Sequence, residues 1–158
     1  MPAAALATTG SVLTATEYNY LPRGLLAYSS AVTAQFTTSS THTTFQDVTN
    51  YSVSTTYAAN RILRVTIQVG PFIPGGANNV VYKIVRGSTD VQSFDVPNEA
   101  MATGFAHSFV FSATFAGPAS GSTETFKLQM RGTANTQVGN NASASNVGRI
   151  IVEDLGAQ

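Results

Sequence analysis

The sequence predicts an all-β fold, an antiparallel two-sheet jelly-roll sandwich of about eight to ten strands with a short N-terminal arm. Three observations carry that expectation. Phe occupies positions 105, 109, 111 and 115, and because successive strand side chains point to opposite faces, these rings share one side with His107 and Ala113. A row of this kind needs a second apolar sheet to cover it. Arg61 to Val69 alternates strictly, with Leu63, Val65, Ile67 and Val69 on one face and Arg64, Thr66 and Gln68 on the other. Turn signals recur at short spacing, and no amphipathic helical pattern follows residue 22.

Taken in order, residues 1–22 form the arm and 23–158 the sandwich domain. Thr14 and Glu17 have the spacing of a capping box and Pro22 stops the turn, which predicts one short helical turn in the arm. So short a turn needs a surface to dock on. Leu25 opens a β run that continues to Phe36, and 37–44 is a polar loop. Phe45 to Val48 and Tyr51 to Tyr57 read as two short strands separated by Thr49-Asn50. After the 61–69 strand, Pro71, Pro74, Gly75 and Gly76 end the ladder. Val80 to Val85 is apolar on both faces, which predicts a central strand, and Val91 to Val96 returns beside it. Past the Phe row, Gly117 to Ser122 turns the chain into a strand in which Phe126, Leu128 and Met130 alternate with Lys127, Gln129 and Arg131. The polar, Asn-rich stretch 132–146 is a loop, and Gly148 to Asp154 is the last strand.

At 158 residues the chain has the size of one domain. Charged residues make up 10% and the formal net charge is zero, so there is no electrostatic footprint for nucleic acid or an anionic membrane. Cysteine is absent, which excludes a disulfide framework and thiolate metal sites. No stretch approaches a transmembrane helix in length. Met1 to Ala7 lacks the basic and apolar regions of a secretory signal, and the expected product is soluble and made in a cytoplasm.

Chemistry has little to work with, and an enzyme is not expected. The two histidines are His42, in a polar loop, and His107, whose neighbour Ser108 points to the opposite strand face and cannot pair with it. No histidine pair has ligand spacing, and the acids are scattered. Paired carboxylates in a Trp-lined cleft, the usual apparatus of sugar hydrolysis in all-β folds, are not supported, since Trp is absent. No catalytic, cofactor-binding or metal residues are assigned.

Three segments together resemble the β-sandwich domain of structural proteins from tailed bacteriophages of actinobacteria. They are Arg23-Gly24-Leu25-Leu26-Ala27-Tyr28, Arg61-Ile62-Leu63-Arg64-Val65-Thr66 and Gly148-Arg149-Ile150-Ile151-Val152-Glu153-Asp154-Leu155-Gly156. The lead-in Gly10 to Ala15 is also similar. The resemblance implies a head decoration protein that binds the major capsid protein on the capsid exterior as a homotrimer. The alternative is a minor tail protein whose loops at 37–44 and 132–146 bind a receptor or glycan. For the first reading, Leu13, Tyr18, Tyr20 and Leu21 are the expected capsid-docking residues of the arm, since so short a segment gives them no apolar partner. Tyr28, His107 and Ile151 are the expected subunit-interface residues, because in the resembled fold the terminal strands and the long strand share a sheet facing the symmetry axis. Part of the aromatic surface is then expected between subunits.

Overall fold

A computed structural model describes residues 21–33, 36–37, 44–69, 71–72, 79–96, 109–118, 120–132, 139–140 and 147–158. The strands are β1 (Gly24–Tyr28), β2 (Phe36–Thr37), β3 (Gln46–Tyr57), β4 (Arg61–Val69), β5 (Pro71–Phe72), β6 (Val80–Arg86), β7 (Thr89–Val96), β8 (Phe109–Ala116), β9 (Ser122–Gly132), β10 (Gly139–Asn140) and β11 (Arg149–Ala157). Two four-stranded antiparallel sheets have the orders β1-β11-β4-β8 and β3-β9-β6-β7, and the two-residue strands form a small third sheet, β2-β10-β5. Successive long strands alternate between the large sheets, apart from the β6–β7 hairpin. This winding is that of a jelly roll, in which the first and last strands are neighbours.

The core lies between the two large sheets. Leu63, Val65, Ile67 and Val69 of β4 and Ile150 and Val152 of β11 face Tyr82 and Ile84 of β6 and Phe126, Leu128 and Met130 of β9, all buried. Each fully buried side chain of this size contributes about 1.5 to 3 kcal/mol. β8 keeps the predicted phase, with Phe109, Phe111, Ala113 and Phe115 turned toward the core and Val110, Ser112, Thr114 and Ala116 outward. Phe111 stacks on Phe94 with ring centroids 4.6 Å apart, and Phe115 meets Phe126 at 5.7 Å. Phe111 thus packs across to β7 and Phe115 to β9, and both are partly buried against the core. The described residues begin β8 at Phe109, and positions 105–108 lie outside them, as does the helical turn expected in the arm.

The short strands β2, β5 and β10 fall where loops or the end of a ladder were expected, and three of the longer runs have boundaries other than the expected ones, each for a local reason. β3 is one strand, because Thr49-Asn50 forms a bulge instead of a break: Asn50 has φ 68 and the register against β9 shifts between Asp47 and Ser52. Asn tolerates this left-handed conformation better than most residues. The run from Leu25 to Phe36 divides, because the Ser29 hydroxyl accepts the Ile150 N–H at 3.1 Å and the chain then leaves the ladder, touching it again, among the described residues, at the Val32–Gly148 bridge. β11 continues past Asp154 to Ala157, through a register shift at Gly156 with φ 127, where the Asp154 carboxylate accepts the Gly156 N–H.

Tyr82 is fully buried and, among the described residues, its hydroxyl has no hydrogen-bond partner. Burial, and after it the nearby Tyr51, push its phenol well above the ordinary tyrosine range. A group whose folded pKa is raised contributes stability that is complete below its unfolded value, near pH 10, and is lost as the pH rises past it. Tyr82→Phe removes an unsatisfied buried hydroxyl, so urea denaturation at neutral pH is expected to show unchanged or increased stability, by up to about 1 kcal/mol. The variant is also expected to lose stability less steeply than the parent above about pH 10.

Candidate interaction surface

The outer faces of the two large sheets differ in chemistry. On the β1-β11-β4-β8 sheet the register places Tyr28, Ile151, Thr66 and Ser112 in one row across the four strands. The next row is Leu25, Glu153, Arg64 and Thr114. Arg64 and Glu153 pair at 2.9 Å and cancel each other's charge, and the Thr66 and Ser112 hydroxyls hydrogen-bond at 3.2 Å. Leu25, Tyr28 and Val110 on this sheet are 57%, 58% and 65% exposed, and Leu21, just before β1, is 44% exposed. Among the described residues these are the large hydrophobic side chains most open to solvent.

The β3-β9-β6-β7 sheet presents a polar outer face. Lys127 pairs with Asp47 at 3.0 Å and Lys83 with Asp90 at 3.0 Å, while Ser54–Thr125 and Thr56–Thr123 are hydroxyl pairs at 2.7 and 2.6 Å. Hydrogen bonds from Gln129 and Lys127 hold the Asp47 carboxyl below its ordinary range. Lys83 and Arg131 both stand over the Phe45 ring, covering its face. Charge, hydroxyls and covered aromatics suit this face to water. The first sheet, which leaves Leu25, Tyr28 and Val110 uncovered beside the Arg64–Glu153 pair and the exposed Arg149, suits a protein partner.

One end of the sandwich is closed by charged side chains. Arg61, the first residue of β4, is buried and reaches Asp154 of β11, also buried, through Nε at 3.0 and 2.9 Å and Nη2 at 2.7 Å. The same Nη2 donates to the Leu21 carbonyl at 2.5 Å. The guanidinium therefore ties Leu21, just ahead of β1, to β4 and β11. Beside it, Arg86 lies 3.5 Å from Glu124 and over the Phe115 ring, and the Tyr57 hydroxyl donates to Glu124. Burial and the bond to Glu124 raise the Tyr57 phenol. Gly117 and Gly121 pass so close to Tyr57 that a Cβ would lie 3.1 Å from its ring at the first and 2.9 Å from its carbonyl at the second. Gln158 donates to the Gly117 carbonyl at 2.8 Å, and a shallow depression opens there, lined by Ile62, Thr114, Phe115, Ala116 and Gln158.

Of the interface residues expected from sequence, Tyr28 and Ile151 are direct cross-strand partners on the first sheet's outer face. His107 lies outside the described residues, as do Leu13, Tyr18 and Tyr20 of the arm and His42. Leu21 is described and exposed, with its carbonyl on Arg61. The Arg61–Asp154 pair was not anticipated from sequence. Its signal was phase: Arg61 falls in step with Leu63, Val65 and Ile67, and Asp154 with Ile150 and Val152, so each is a charge on the buried side of its strand. Among the described residues no group of three His, Cys, Asp or Glu side chains is placed to hold a metal ion.

No protein-family model matches the chain, and no curated protein matches it in sequence. Among solved structures it is similar to the infectious bursal disease virus VP2 subviral particle, with 12% identity over 86% of this chain and a TM-score of 0.45. It is similar as well to the T=1 particles derived from infectious bursal virus, at 13% identity over 86% of this chain with a TM-score of 0.45. The chain spans 38% and 37% of those two viral chains. A family 35 carbohydrate-binding module from an environmental isolate is also similar, at 17% identity over 87% of this chain and 94% of the module, with a TM-score of 0.40.

Removing one partner of a buried ion pair leaves the other charge stranded, at a cost of about 3 to 5 kcal/mol, whereas replacing both by apolar groups can be nearly neutral. Arg61→Met is therefore expected to lower the urea midpoint by that order. Arg61→Met with Asp154→Leu is expected to recover most of the loss. A double variant as unstable as the single one would show that the pair supplies net stability of its own.

Proposed function

We propose that this protein is a structural component of a tailed-phage virion: a decoration protein that sits on the outer surface of the capsid as a homotrimer and stabilises the shell. The observation that carries the reading is the asymmetry of the sandwich, with Leu25, Tyr28 and Val110 uncovered on the β1-β11-β4-β8 face, beside one ion pair and the exposed Arg149, and an ion-paired, hydroxyl-rich face on the other sheet. It is supported by the resemblance of the 23–28, 61–66 and 148–156 segments to phage virion domains. The first-sheet face packs against neighbouring copies through Tyr28 and Ile151; His107, the third expected contributor, lies outside the described residues. Closure into a ring of three leaves no unsatisfied apolar patch.

The arm, with Leu13, Tyr18, Tyr20 and Leu21, contacts the major capsid protein, and the Arg61 clamp on Leu21 gives that reach a fixed origin. Stabilisation follows from mass action: a ligand that binds the assembled shell and not its separated subunits makes dissociation costlier. No catalytic step and no cofactor enter this mechanism.

Each monomer is expected to bury at least about 800 Å² against its neighbours, the scale of a specific interface. Sedimentation is expected to show a trimer at micromolar concentration and to show Tyr28→Glu as a folded monomer, since a charge at a packed interface is strongly disfavoured. A stable parent monomer, with no trimer on the particle, would remove the homotrimer. Deleting residues 1–20, which leaves the Leu21 carbonyl on Arg61, is expected to give a folded protein that no longer binds capsids, with full occupancy by the truncated protein as the contrary result.

A further inference from the structure

The two large sheets have four edge strands, and three of them are blunted against further pairing. β1 is five residues long and bulged between Leu25 and Ala27. β3 carries Asp47 and the bulge at Asn50, and β7 carries Asp90, Asp95 and a register shift. Charges, bulges and shortness are the ordinary means of keeping a strand edge from recruiting another chain. β8 has none of them. Its eight residues, Phe-Val-Phe-Ser-Ala-Thr-Phe-Ala, are uncharged, contain no Pro and keep unbroken register with β4. We propose that β8 is a self-association site, where it pairs in antiparallel register with β8 of another copy and continues the sheet across a two-fold axis. The pairing goes beyond the virion reading and does not rest on it.

The hydrogen-bond phase of the sheet shows which groups are on offer. The Gly117 N–H donates to the Arg61 carbonyl at 2.7 Å, and the Ser29 N–H to the Ile150 carbonyl at 2.8 Å. Antiparallel partners bond at alternate residues, so both contacts direct the backbone groups of Phe109, Phe111, Ala113 and Phe115 to β4. Those of Val110, Ser112, Thr114 and Ala116 therefore turn to the open edge. Arg86 reaches the Ala116 carbonyl at 3.4 Å, which ends the open run there. Val110, Ser112 and Thr114 have no backbone partner on that side among the described residues, and all three are exposed. The core is also unsealed beside this edge: Phe109, Phe111 and Phe115 are partly buried, whereas Leu63, Val65 and Ile67 on the adjacent strand are wholly buried.

The edge itself selects the occupant. With the other three edges blunted, the strand of a second copy best suited to β8 is β8. A two-fold axis at Ser112 sets Ser112 against Ser112 and Val110 against Thr114, and these three pairs exchange about six backbone hydrogen bonds. On the inner face it sets Phe111 against Ala113 and Phe109 against Phe115, so large meets small near the axis and the half-buried rings gain cover. An uncharged strand places no like charges opposite each other. Sliding the register by two residues would need the Ala116 carbonyl that Arg86 holds, and would face Ala113 with itself. Since β8 and β1 are opposite edges of the sheet, one copy can pair here while Tyr28 and Ile151 meet other neighbours, which would join trimers lying side by side. A short edge ladder is weak in dilute solution, so it adds to the trimer without replacing it.

Because the chain has no cysteine, an introduced thiol can bridge only to another copy and so reports the register. Ser112→Cys, Val110→Cys and Thr114→Cys each change an exposed side chain on the outer face. A hydrogen-bonded pair holds its Cα atoms about 5.5 Å apart, within disulfide reach. Across the axis Val110 would lie about 14 Å from Val110, and Thr114 as far from Thr114, both out of reach. After mild oxidation of the purified full chain without capsids, non-reducing electrophoresis and intact mass are expected to show a linked pair of chains for Ser112→Cys. Val110→Cys alone and Thr114→Cys alone are expected to give about tenfold less. An equal mixture of those two proteins is expected to recover the linked pair, with one chain of each kind. No excess for Ser112→Cys over the two single variants, or no gain in the mixture, would overturn the pairing. Since no capsid is present, either result leaves the virion reading standing, and a failure of capsid binding leaves this pairing standing.

Discussion

The buried contact between Arg61 and Asp154 is the constraint on which the remaining organisation depends. Two side chains 93 residues apart in sequence join the first residue of β4 to β11, and the spare donor of the guanidinium holds the Leu21 carbonyl. The Asp154 carboxylate also accepts the Gly156 N–H, which sets the bulge at the end of the last strand. A buried ion pair is a weak source of net stability, because desolvating both charges offsets much of their attraction. What it supplies here is geometry. It fixes the chain at Leu21, just ahead of β1, whose Leu25 and Tyr28 lie next to Glu153 and Ile151.

The two sheets then divide the work. Their facing sides make the core, and their outer sides are unlike. Lys–Asp pairs and hydroxyl pairs cover the β3-β9-β6-β7 face, so its polar groups are satisfied without a partner. On the β1-β11-β4-β8 face Arg64 pairs with Glu153, Arg149 is exposed, and Tyr28, Leu25 and Val110 remain open. A chain with 10% charged residues has few means of making both faces hydrophilic, and it concentrates them on one.

Much of the fold was legible in sequence because strand parity is a local signal. The inward set of β4, the two-sided burial of β6 and the alternation of β9 all follow from residues two apart, and the structure has them as read. Local reading fails where the deciding contact is distant. Thr49-Asn50 looks like a break until β9 is seen to continue past it on the other side. Arg61 and Asp154 each look like a misplaced charge until the β4–β11 ladder brings them together. The pairing of Tyr28 with Ile151 was expected only as shared membership of one sheet; their direct opposition depends on the bulge between Leu25 and Ala27, which no pattern in the sequence announces.

The central claim is that the chain decorates a shell, and stoichiometry tests it most directly. Quantitative mass spectrometry of purified virions that contain it would count this chain against the major capsid protein. A copy number that scales with the shell subunits is the result the account predicts, because a protein acting by mass action must occupy most of its equivalent sites. A handful of copies per particle would contradict it and place the chain in the tail.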